Sequence, residues 1–379
     1  MATATSAWGY WEGNNHWNFT LWRLIGLMDF GAANFSEMME AIRNIPSGDE
    51  TAWFNEWYKI GERVERLARE AEQKGNSLSA KNAFSRACNY YRMAQFFLSG
   101  RDERKVPVLE RMDQMFRESL KYVDNVETVM IPYEGMELDG YFIKARGEGP
   151  HPTMIYMNGA DSLPPEVYFT AGKHMADSGI NFLVYYAPGV GLTLYKKGIP
   201  VRPDTEAFVS PAVDWLSARK EVDASRLILI GESFAGYTVP RAAAREKRIS
   251  AAVVWSPIYK FDASFLYHHS GPSFKEHLLR LFGAESYDDL VIKSSKYDLN
   301  GVASEIDCAL FLIQGSEDFI IPIPLESALR IYNEVRSKVK TLRFIERDEG
   351  LGGVLHCQKD NLHVAHFETL NWLKEVKLI

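Results

Sequence analysis

Hydrophobic and polar positions change their periodicity near residue 125, so the chain has two differently patterned parts. In the first part apolar residues recur at helical spacing. This spacing predicts three helices: ETAWFNEWYKIGERVERLAREAEQKG (50–75), NSLSAKNAFSRACNYYRMAQFFLSG (76–100) and VPVLERMDQMFRESLKYVD (106–124). The first two stretches end at a glycine, which is a common stop signal for a helix. We therefore expect an all-helical N-terminal domain over residues 1–125.

The second part begins with a hairpin pattern and continues with short apolar runs. VETVMIPYEGMELDGYFIKA (126–145) alternates apolar and polar positions around a Glu-Gly turn. Six runs without a polar face then alternate with helical stretches: TMIYMN (153–158), NFLVYYA (181–187), RLILIG (226–231), AAVVW (251–255), ALFLIQG (309–315) and TLRFIE (341–346). Such runs predict a mostly parallel sheet with helices on both faces, an α/β domain over residues 126–379. Ligands of these sheets bind beyond the carboxyl ends of the strands.

The stretch between the fourth and fifth of these runs is too long for a simple crossover, and we expect a cap insertion at about 256–305. Four aromatic residues in it either line an apolar substrate pocket or pack the cap itself: Tyr259, Phe261, Phe265 and Tyr267. The same alternative applies to six tryptophans near the N-terminus, which either form a core or face a ligand cavity: Trp8, Trp11, Trp17, Trp22, Trp53 and Trp57.

Composition narrows the class of protein. With 46% hydrophobic and 25% charged residues, the 379-residue chain is typical of a folded globular protein. Its net charge of -7 argues against a nucleic-acid partner, and no apolar run is long enough to cross a membrane. The segment MATATSAWGYWEGNNHW lacks the pattern of a secretory signal. Three scattered cysteines suit a reducing compartment and give no metal-binding spacing, so we expect a cytoplasmic protein.

A serine with small neighbours directly follows the third apolar run, in LILIGESFAGYTVPRAAA (227–244). A strand that turns sharply into a helix brings the two backbones close together, so the positions on either side of the turn must be small. Gly231 and Ala235 meet this requirement, and Gly236 adds room. The pattern predicts that Ser233 is a nucleophile held at the start of a helix.

A serine hydroxyl needs a base, and in this kind of sheet an acid and then a histidine follow the serine along the chain. Asp318 follows ALFLIQG and is the predicted acid, with its neighbour Glu317 as the fallback. His356 lies in the glycine-rich loop RDEGLGGVLHCQKDN and is the predicted base. His363 and His366 fall within the pattern of the last helix, which indicates structural roles.

Attack on a carbonyl also requires donors for the oxygen that becomes negative. We expect the N–H of Phe234, the residue after the serine, and the N–H of Ala160, in the turn GADSLPPEVY after TMIYMN. Gly159 would let that backbone approach closely. Asp161, in the same turn, is a candidate for substrate binding.

These residues resemble the α/β-hydrolase fold, and further motifs narrow the resemblance. They are NGADSLPPE, the turn Pro188–Gly191, RPDTEAFVSPAVDWL (202–216), GESFAGYTVPRAAA and GGVLHCQ, behind an all-helical N-terminal region. Together they resemble the branch of 2,6-dihydropseudooxynicotine hydrolase and the FrsA-like esterases. The segment NFTLWRLIGLMDFGAANFSEMMEAI is similar above all to fungal hydrolases that trim polyketides.

The resemblance implies a Ser233–His356–Asp318 triad, helical parts that cap the site, and cleavage of acyl carbon–carbon bonds or esters without a cofactor. We expect a retro-Claisen hydrolase of a polyketide-like small molecule. Ester or lactone hydrolysis, and cyclisation or acyl transfer without hydrolysis, remain alternatives. Two positions depart from the pattern of the branch, Ala187 where Asp is usual and Ala235 where Gly is usual. Relatives are often dimers, and the aromatic N-terminus is a candidate interface.

Overall fold

The computed structural model describes residues 9–379, and contacts within the chain divide it into two compact units. The first unit holds the chain up to Asp124 together with residues 195–197 and 270–277. The second unit holds the remaining residues from Asn125 to Ile379.

The first unit is helical, as its periodicity predicts. Its helices are α1 (Asn15–Gly26), α2 (Phe35–Ile42), α3 (Glu50–Gln73), α4 (Ser77–Phe96) and α5 (Lys105–Leu120). Asp49 caps α3 by accepting a hydrogen bond from the Ala52 N–H at 2.8 Å. The ring of Trp53 is fully buried and lies 4.7 Å from that of Trp17 and 4.8 Å from that of Phe97. Trp11, Trp17, Trp53 and Trp57 are buried and form a core, Trp22 is half-buried, and Trp8 lies outside the described residues.

The second unit is built on one sheet of eight strands. They are β1 (Val126–Tyr133), β2 (Met136–Ile143), β3 (His151–Met157), β4 (Asn181–Tyr185), β5 (Val222–Glu232), β6 (Ile249–Trp255), β7 (Ala309–Gly315) and β8 (Lys340–Ile345). The strand order is β1-β2-β4-β3-β5-β6-β7-β8. Only β1, β2 and β4 meet in antiparallel pairs, and the other neighbours are parallel. The mostly parallel sheet predicted from the apolar runs is confirmed.

Helices connect these strands. They are α6 (Pro164–Val167), α7 (Lys173–Asp177), α8 (Gly191–Tyr195), α9 (Glu206–Ser217), α10 (Ala235–Arg245), α11 (Ala263–His269), α12 (Pro272–Leu281), α13 (Tyr287–Ser294), α14 (Pro324–Glu334) and α15 (Leu362–Glu375). The long connection between β6 and β7 contains α11, α12 and α13. In the described part of the chain, none of the helices has the length and apolar character that a membrane crossing requires.

Strand register brings the carboxyl ends of the central strands to one edge of the sheet. Met157 on β3 pairs with Gly231 on β5. Trp255 on β6 pairs with Glu232 on one side and with Ile313 on the other. The residues that follow β3, β5, β6 and β7 therefore emerge side by side, which is where the predicted site residues lie.

Candidate active site

Ser233 occupies a sharp turn between β5 and α10, with a φ of 58°. A residue with a Cβ atom rarely adopts this left-handed backbone conformation unless the surrounding structure imposes it. A Cβ placed on Gly231 would lie 2.6 Å from the Cβ of Ala235, so strand and helix approach as closely as the sequence predicts. Ser233 is half-buried, which leaves its hydroxyl accessible at the beginning of the helix.

Asp318 and His356 meet in a buried hydrogen bond. The distance from His356 Nδ1 to Asp318 Oδ2 is 2.7 Å. Burial alone would raise the pKa of Asp318, but the imidazole and two further donors hold that pKa below its ordinary value. Burial alone would lower the pKa of His356, but the Asp318 carboxylate outweighs burial and holds that pKa well above its ordinary value. The two groups titrate as a pair.

The Asp318 carboxylate is held by four donors besides His356. Ser256 Oγ at 2.9 Å and Gln314 Nε2 at 3.1 Å donate to its Oδ2 atom. The N–H groups of Ile320 and Ile321 donate to its Oδ1 atom at 3.0 and 3.2 Å. Five donors around one buried carboxylate fix its orientation, and they stabilise its ionised form.

Ser256 also holds the loop that carries His356. Besides donating to Asp318, the Ser256 Oγ atom accepts a hydrogen bond from the Cys357 N–H at 2.8 Å. One fully buried hydroxyl thus connects the acid to the histidine loop. Ser256 itself has a φ of 59°, and its own N–H donates to the Ile313 carbonyl at 2.9 Å, which fixes it at the end of β6.

The turn with Ser233 and the loop with His356 meet at one backbone carbonyl. The Trp255 carbonyl accepts the Ser233 N–H at 3.1 Å and contacts the Cys357 Sγ atom at 3.8 Å. The residues next to the imidazole therefore lie beside the serine, although more than a hundred positions separate them along the chain.

The turn after β3 runs beside the serine. A Cβ on Gly159 would lie 3.0 Å from the Cβ of Ser233 and 3.5 Å from its Oγ, so only glycine allows this approach without displacement. Ser162 Oγ fixes the turn by accepting the Gly159 N–H at 2.9 Å. Ala160 and Asp161 follow and are both half-buried. Phe234 directly precedes α10, and its N–H finds no acceptor within residues 9–379.

A small recess opens beside these backbone groups. Its volume is about 20 Å³, room for a group the size of a methyl or a water molecule. Gly159, Ala160 and Phe234 line one side. Much of the remaining wall is apolar and includes Ala187, Val190, Val201, Phe208 and Leu281. Ala187, the position at which the branch usually has Asp, therefore contributes a methyl group to this recess.

The four aromatic residues predicted for the substrate lie elsewhere, and within the described residues none of them lines this recess. The Tyr259 hydroxyl donates to Glu334 at 2.7 Å, which directs the ring toward α14. Phe261 packs 5.1 Å from the ring of Phe234. Phe265 stacks on His269 at 4.3 Å, and Tyr267 lies 4.9 Å from Tyr287.

The fallback acid and the two other histidines are engaged in different contacts. Glu317 forms an ion pair with Arg347 at the surface. His366 is buried in α15, where its Nε2 atom lies 2.6 Å from the Thr170 carbonyl and burial lowers its pKa to about 3. His363 is exposed on the same helix. Among residues 9–379, no group of three or more His, Cys, Asp or Glu side chains is arranged to hold a metal ion.

Sequence reasoning missed four polar residues around the site. Ser256 and Gln314 hold the acid, and Glu232 and Lys359 form a buried ion pair next to the serine and the histidine loop. Ser256 directly follows the apolar run AAVVW, so the rule that site residues follow strand ends could have found it. The other three carry no such local signal.

The chain matches two known protein families. Residues 37–265, more than half of the chain, match the family described as FrsA-like esterase. Residues 209–376 match the prolyl oligopeptidase family.

Curated relatives are fungal hydrolases. The α/β-hydrolase xenA of Xenoacremonium sinensis is 33% identical over 254 residues, which cover 64% of this chain and 60% of that protein. The α/β-hydrolase psoB of Aspergillus fumigatus is 32% identical over 274 residues, which cover 68% of this chain and 61% of that protein. The matched region thus spans about three fifths of these relatives' own length.

Solved structures share the fold at low sequence identity. The crystal structure of 2,6-dihydroxy-pseudo-oxynicotine hydrolase superposes with a TM-score of 0.78 at 22% identity and covers 92% of this chain and 94% of that one. The structure of AbyA5 superposes with a TM-score of 0.66 at 20% identity and covers 92% of both chains. At such identities the likeness is one of fold.

Proposed function

Because the chain belongs to the FrsA-like esterase family of α/β-hydrolases, we propose that it is a serine hydrolase with Ser233 as nucleophile, His356 as general base and Asp318 as the acid that orients the base. The observation that carries this proposal is the 2.7 Å hydrogen bond between His356 and Asp318, formed beside a serine at a strained strand-to-helix turn. An isolated serine would not need a buried imidazole–carboxylate pair behind it.

In the first step, Ser233 Oγ attacks a carbonyl carbon while His356 Nε2 takes the hydroxyl proton. The resulting imidazolium is stabilised by the Asp318 carboxylate. The oxygen that becomes negative is held by the N–H groups of Phe234 and Ala160, which flank the recess beside the serine.

In the second step, the bond between the carbonyl carbon and its leaving group breaks. When the leaving group is the central carbon of a β-dicarbonyl compound, it departs as an enolate and receives the proton from His356. A water molecule then gives a proton to His356 and attacks the acyl-serine. This releases a carboxylic acid and restores the free hydroxyl. The sum is a retro-Claisen hydrolysis that consumes one water molecule and needs no cofactor.

The recess favours a short acyl group. Its small size and largely apolar wall suit a short apolar chain, such as a methyl group, attached to the carbonyl that is attacked. We assign the substrate to acetyl-bearing β-dicarbonyl compounds of polyketide type. The resemblance to fungal hydrolases that trim polyketides supports this assignment. An ester with a short acyl group is the second candidate, because the matching family is described as an esterase.

Products formed in ¹⁸O-labelled water test the proposal. We use benzoylacetone as the carbon–carbon probe and p-nitrophenyl acetate as the ester probe. Retro-Claisen hydrolysis converts benzoylacetone to acetophenone and acetate, with one ¹⁸O in the acetate. The Ser233→Ala variant should lose both activities, and Ser250→Ala should retain them, because Ser250 is a half-buried serine at the opposite end of β6 from the site.

Each outcome has a distinct meaning. Cleavage of the ester alone would favour the esterase. Turnover that releases no acid and incorporates no ¹⁸O would overturn hydrolysis and favour acyl transfer or cyclisation. Full turnover by Ser233→Ala would contradict every form of the proposal.

A further inference from the structure

A buried ion pair connects the residue before the nucleophile with the loop that carries the histidine. Lys359 Nζ lies 2.6 Å from Glu232 Oε2, and the two side chains are 4% and 3% exposed. Glu232 is the last residue of β5, directly before Ser233. Lys359 follows His356 by three positions, and its N–H donates to the His356 carbonyl at 3.3 Å. Burying two charges is costly, so a pair at this position calls for a physical explanation.

The loop needs a tether of this kind. Cys357 and Gln358 have φ values of 54° and 53°, two successive side-chain-bearing residues in the left-handed region. Each such conformation is strained and persists only when the surroundings hold it. Ser256 holds the loop from the β6 side through the Cys357 N–H. On the side of the nucleophile, the ion pair with Glu232 holds it.

We propose that the Glu232–Lys359 ion pair positions His356 against Ser233 and adds no net charge of its own beside the imidazole. This role rests on the proposed function. The pair acts through the loop and the turn, and neither side chain touches the reacting atoms. A tether alone could be apolar, whereas a charged pair also fixes the electrostatic field at the base.

Other titratable groups face the same region and must be kept constant. Asp318 and Cys357 face the imidazole. The groups around the pair are Tyr156 on β3, Glu166 on α6, Cys357 in the loop and His366 on α15. Burial and the negative charge of Glu232 together hold the pKa of Tyr156 well above its ordinary value, so its hydroxyl stays neutral where His356 titrates.

Two single variants should move the pH dependence in opposite directions. In Lys359→Met the charge of Glu232 is no longer balanced, which favours the imidazolium and raises the pKa of His356. In Glu232→Gln the charge of Lys359 is no longer balanced, which disfavours the imidazolium and lowers that pKa. The readout is the rate at which a fluorophosphonate probe labels Ser233 in the full chain, measured from pH 5 to pH 10. We call the part of the rate–pH curve in which the labelling rate rises with pH the acid limb. We expect its midpoint to move by roughly half a pH unit or more, upward in Lys359→Met and downward in Glu232→Gln.

The double variant Glu232→Gln/Lys359→Met separates position from charge and remains informative if a single variant fails to fold. Replacing both charges is often neutral for stability. We expect its acid limb to coincide with that of the parent, while the labelling rate falls on the order of tenfold because the loop has lost its tether. Circular dichroism confirms that each compared variant is folded.

The matched controls are Arg245→Met and Glu305→Gln, which break an exposed ion pair of the same length and change the net charge equally. These two control variants should leave both the labelling rate and the acid limb of the rate–pH curve unchanged. Shifts of the same sign in the two single variants, or a double variant that is labelled at the parental rate, would overturn the positioning role. A parent whose Ser233 is not labelled at all would instead overturn the proposed function, and with it the role that rests on it.

Discussion

The Nδ1 atom of His356 lies 2.7 Å from the Oδ2 atom of Asp318, and the two side chains are 5% and 0% exposed. Water therefore does not screen this contact, and the carboxylate stabilises the imidazolium strongly. The base form of His356 then appears only above its ordinary pKa of about 6.5. We expect the rate of Ser233 labelling to rise with pH through an apparent pKa above that value, which belongs to the pair.

Replacement of Asp318 by Asn tests the origin of this pH dependence. The change removes the charge that raises the pKa of His356 and leaves burial, which lowers it, so the acid limb should move to lower pH. The maximal rate should fall on the order of 10⁴-fold, because an amide favours the wrong imidazole tautomer. Glu317→Gln, at the adjacent position, is the control and should keep the rate within about twofold. An unchanged rate in Asp318→Asn, with a large loss in Glu317→Gln, would make Glu317 the acid.

Ser256→Ala should weaken both the acid and the histidine loop. The variant leaves the Cys357 N–H buried without its acceptor, which costs about 1–3 kcal/mol of unfolding free energy. We expect kcat for p-nitrophenyl acetate to fall on the order of 10–100-fold, with a smaller change in KM. Ser250→Ala is the matched control on the same strand, since the Ser250 hydroxyl bonds only the Ser225 carbonyl at the exposed end. Equal rates in the two variants would show that Ser256 does not support Asp318 and the His356 loop during catalysis.

The close approach of strand and helix at the Ser233 turn can be tested by exchanging the two small residues that flank it, Gly231 and Ala235. Gly231→Ala places a Cβ 2.6 Å from that of Ala235, and we expect it to lower the unfolding free energy by about 1–3 kcal/mol. Ala235→Gly removes the opposing methyl group but leaves the Val239 Cγ2 atom at 2.8 Å and the Met157 carbonyl at 3.0 Å, so Gly231→Ala/Ala235→Gly should recover only part of the loss in thermal denaturation. Ala235→Gly alone should keep Ser233 reactive, because a smaller residue does not obstruct the turn. Strictly additive losses in the double variant would show that the two methyl groups do not meet.

Widening the recess should change the preferred acyl length. Leu281→Ala removes part of its wall, and we expect the ratio of kcat/KM for p-nitrophenyl hexanoate to that for the acetate to rise on the order of tenfold. Ala187→Val should fill the recess and lower the rate on the acetate. Leu329→Ala changes an exposed leucine of α14 and should leave the ratio unchanged. A constant ratio in all three variants would show that the acyl group lies elsewhere.

The fold and the nucleophile turn were readable from the sequence because their signals are local. Each apolar run became a strand, since the central strands of a parallel sheet are buried on both faces and are therefore mostly apolar. The small residues around Ser233 predict a close approach of β5 and α10, and the structure shows that approach. Such signals depend on a few consecutive residues.

The support around the site could not be read in this way. Ser256, Glu232 and Lys359 are polar residues whose roles depend on partners far away in the sequence, such as the Cys357 N–H that Ser256 accepts from 101 positions away. Gln314 bonds Asp318 only four positions away, but a polar residue inside an apolar run gives no sign of that role. The recess is lined by residues from separate loops and helices, so no single segment predicts it. Likewise, residues 195–197 and 270–277 join the helical unit through contacts that their own composition does not indicate.

The site and rate of fluorophosphonate labelling test the central claim most directly. We predict a single adduct at Ser233, located by peptide mapping, and a labelling rate that falls on the order of 10³-fold or more in His356→Ala. An adduct at another residue, or a His356→Ala variant whose Ser233 reacts as fast as that of the parent, would contradict the account.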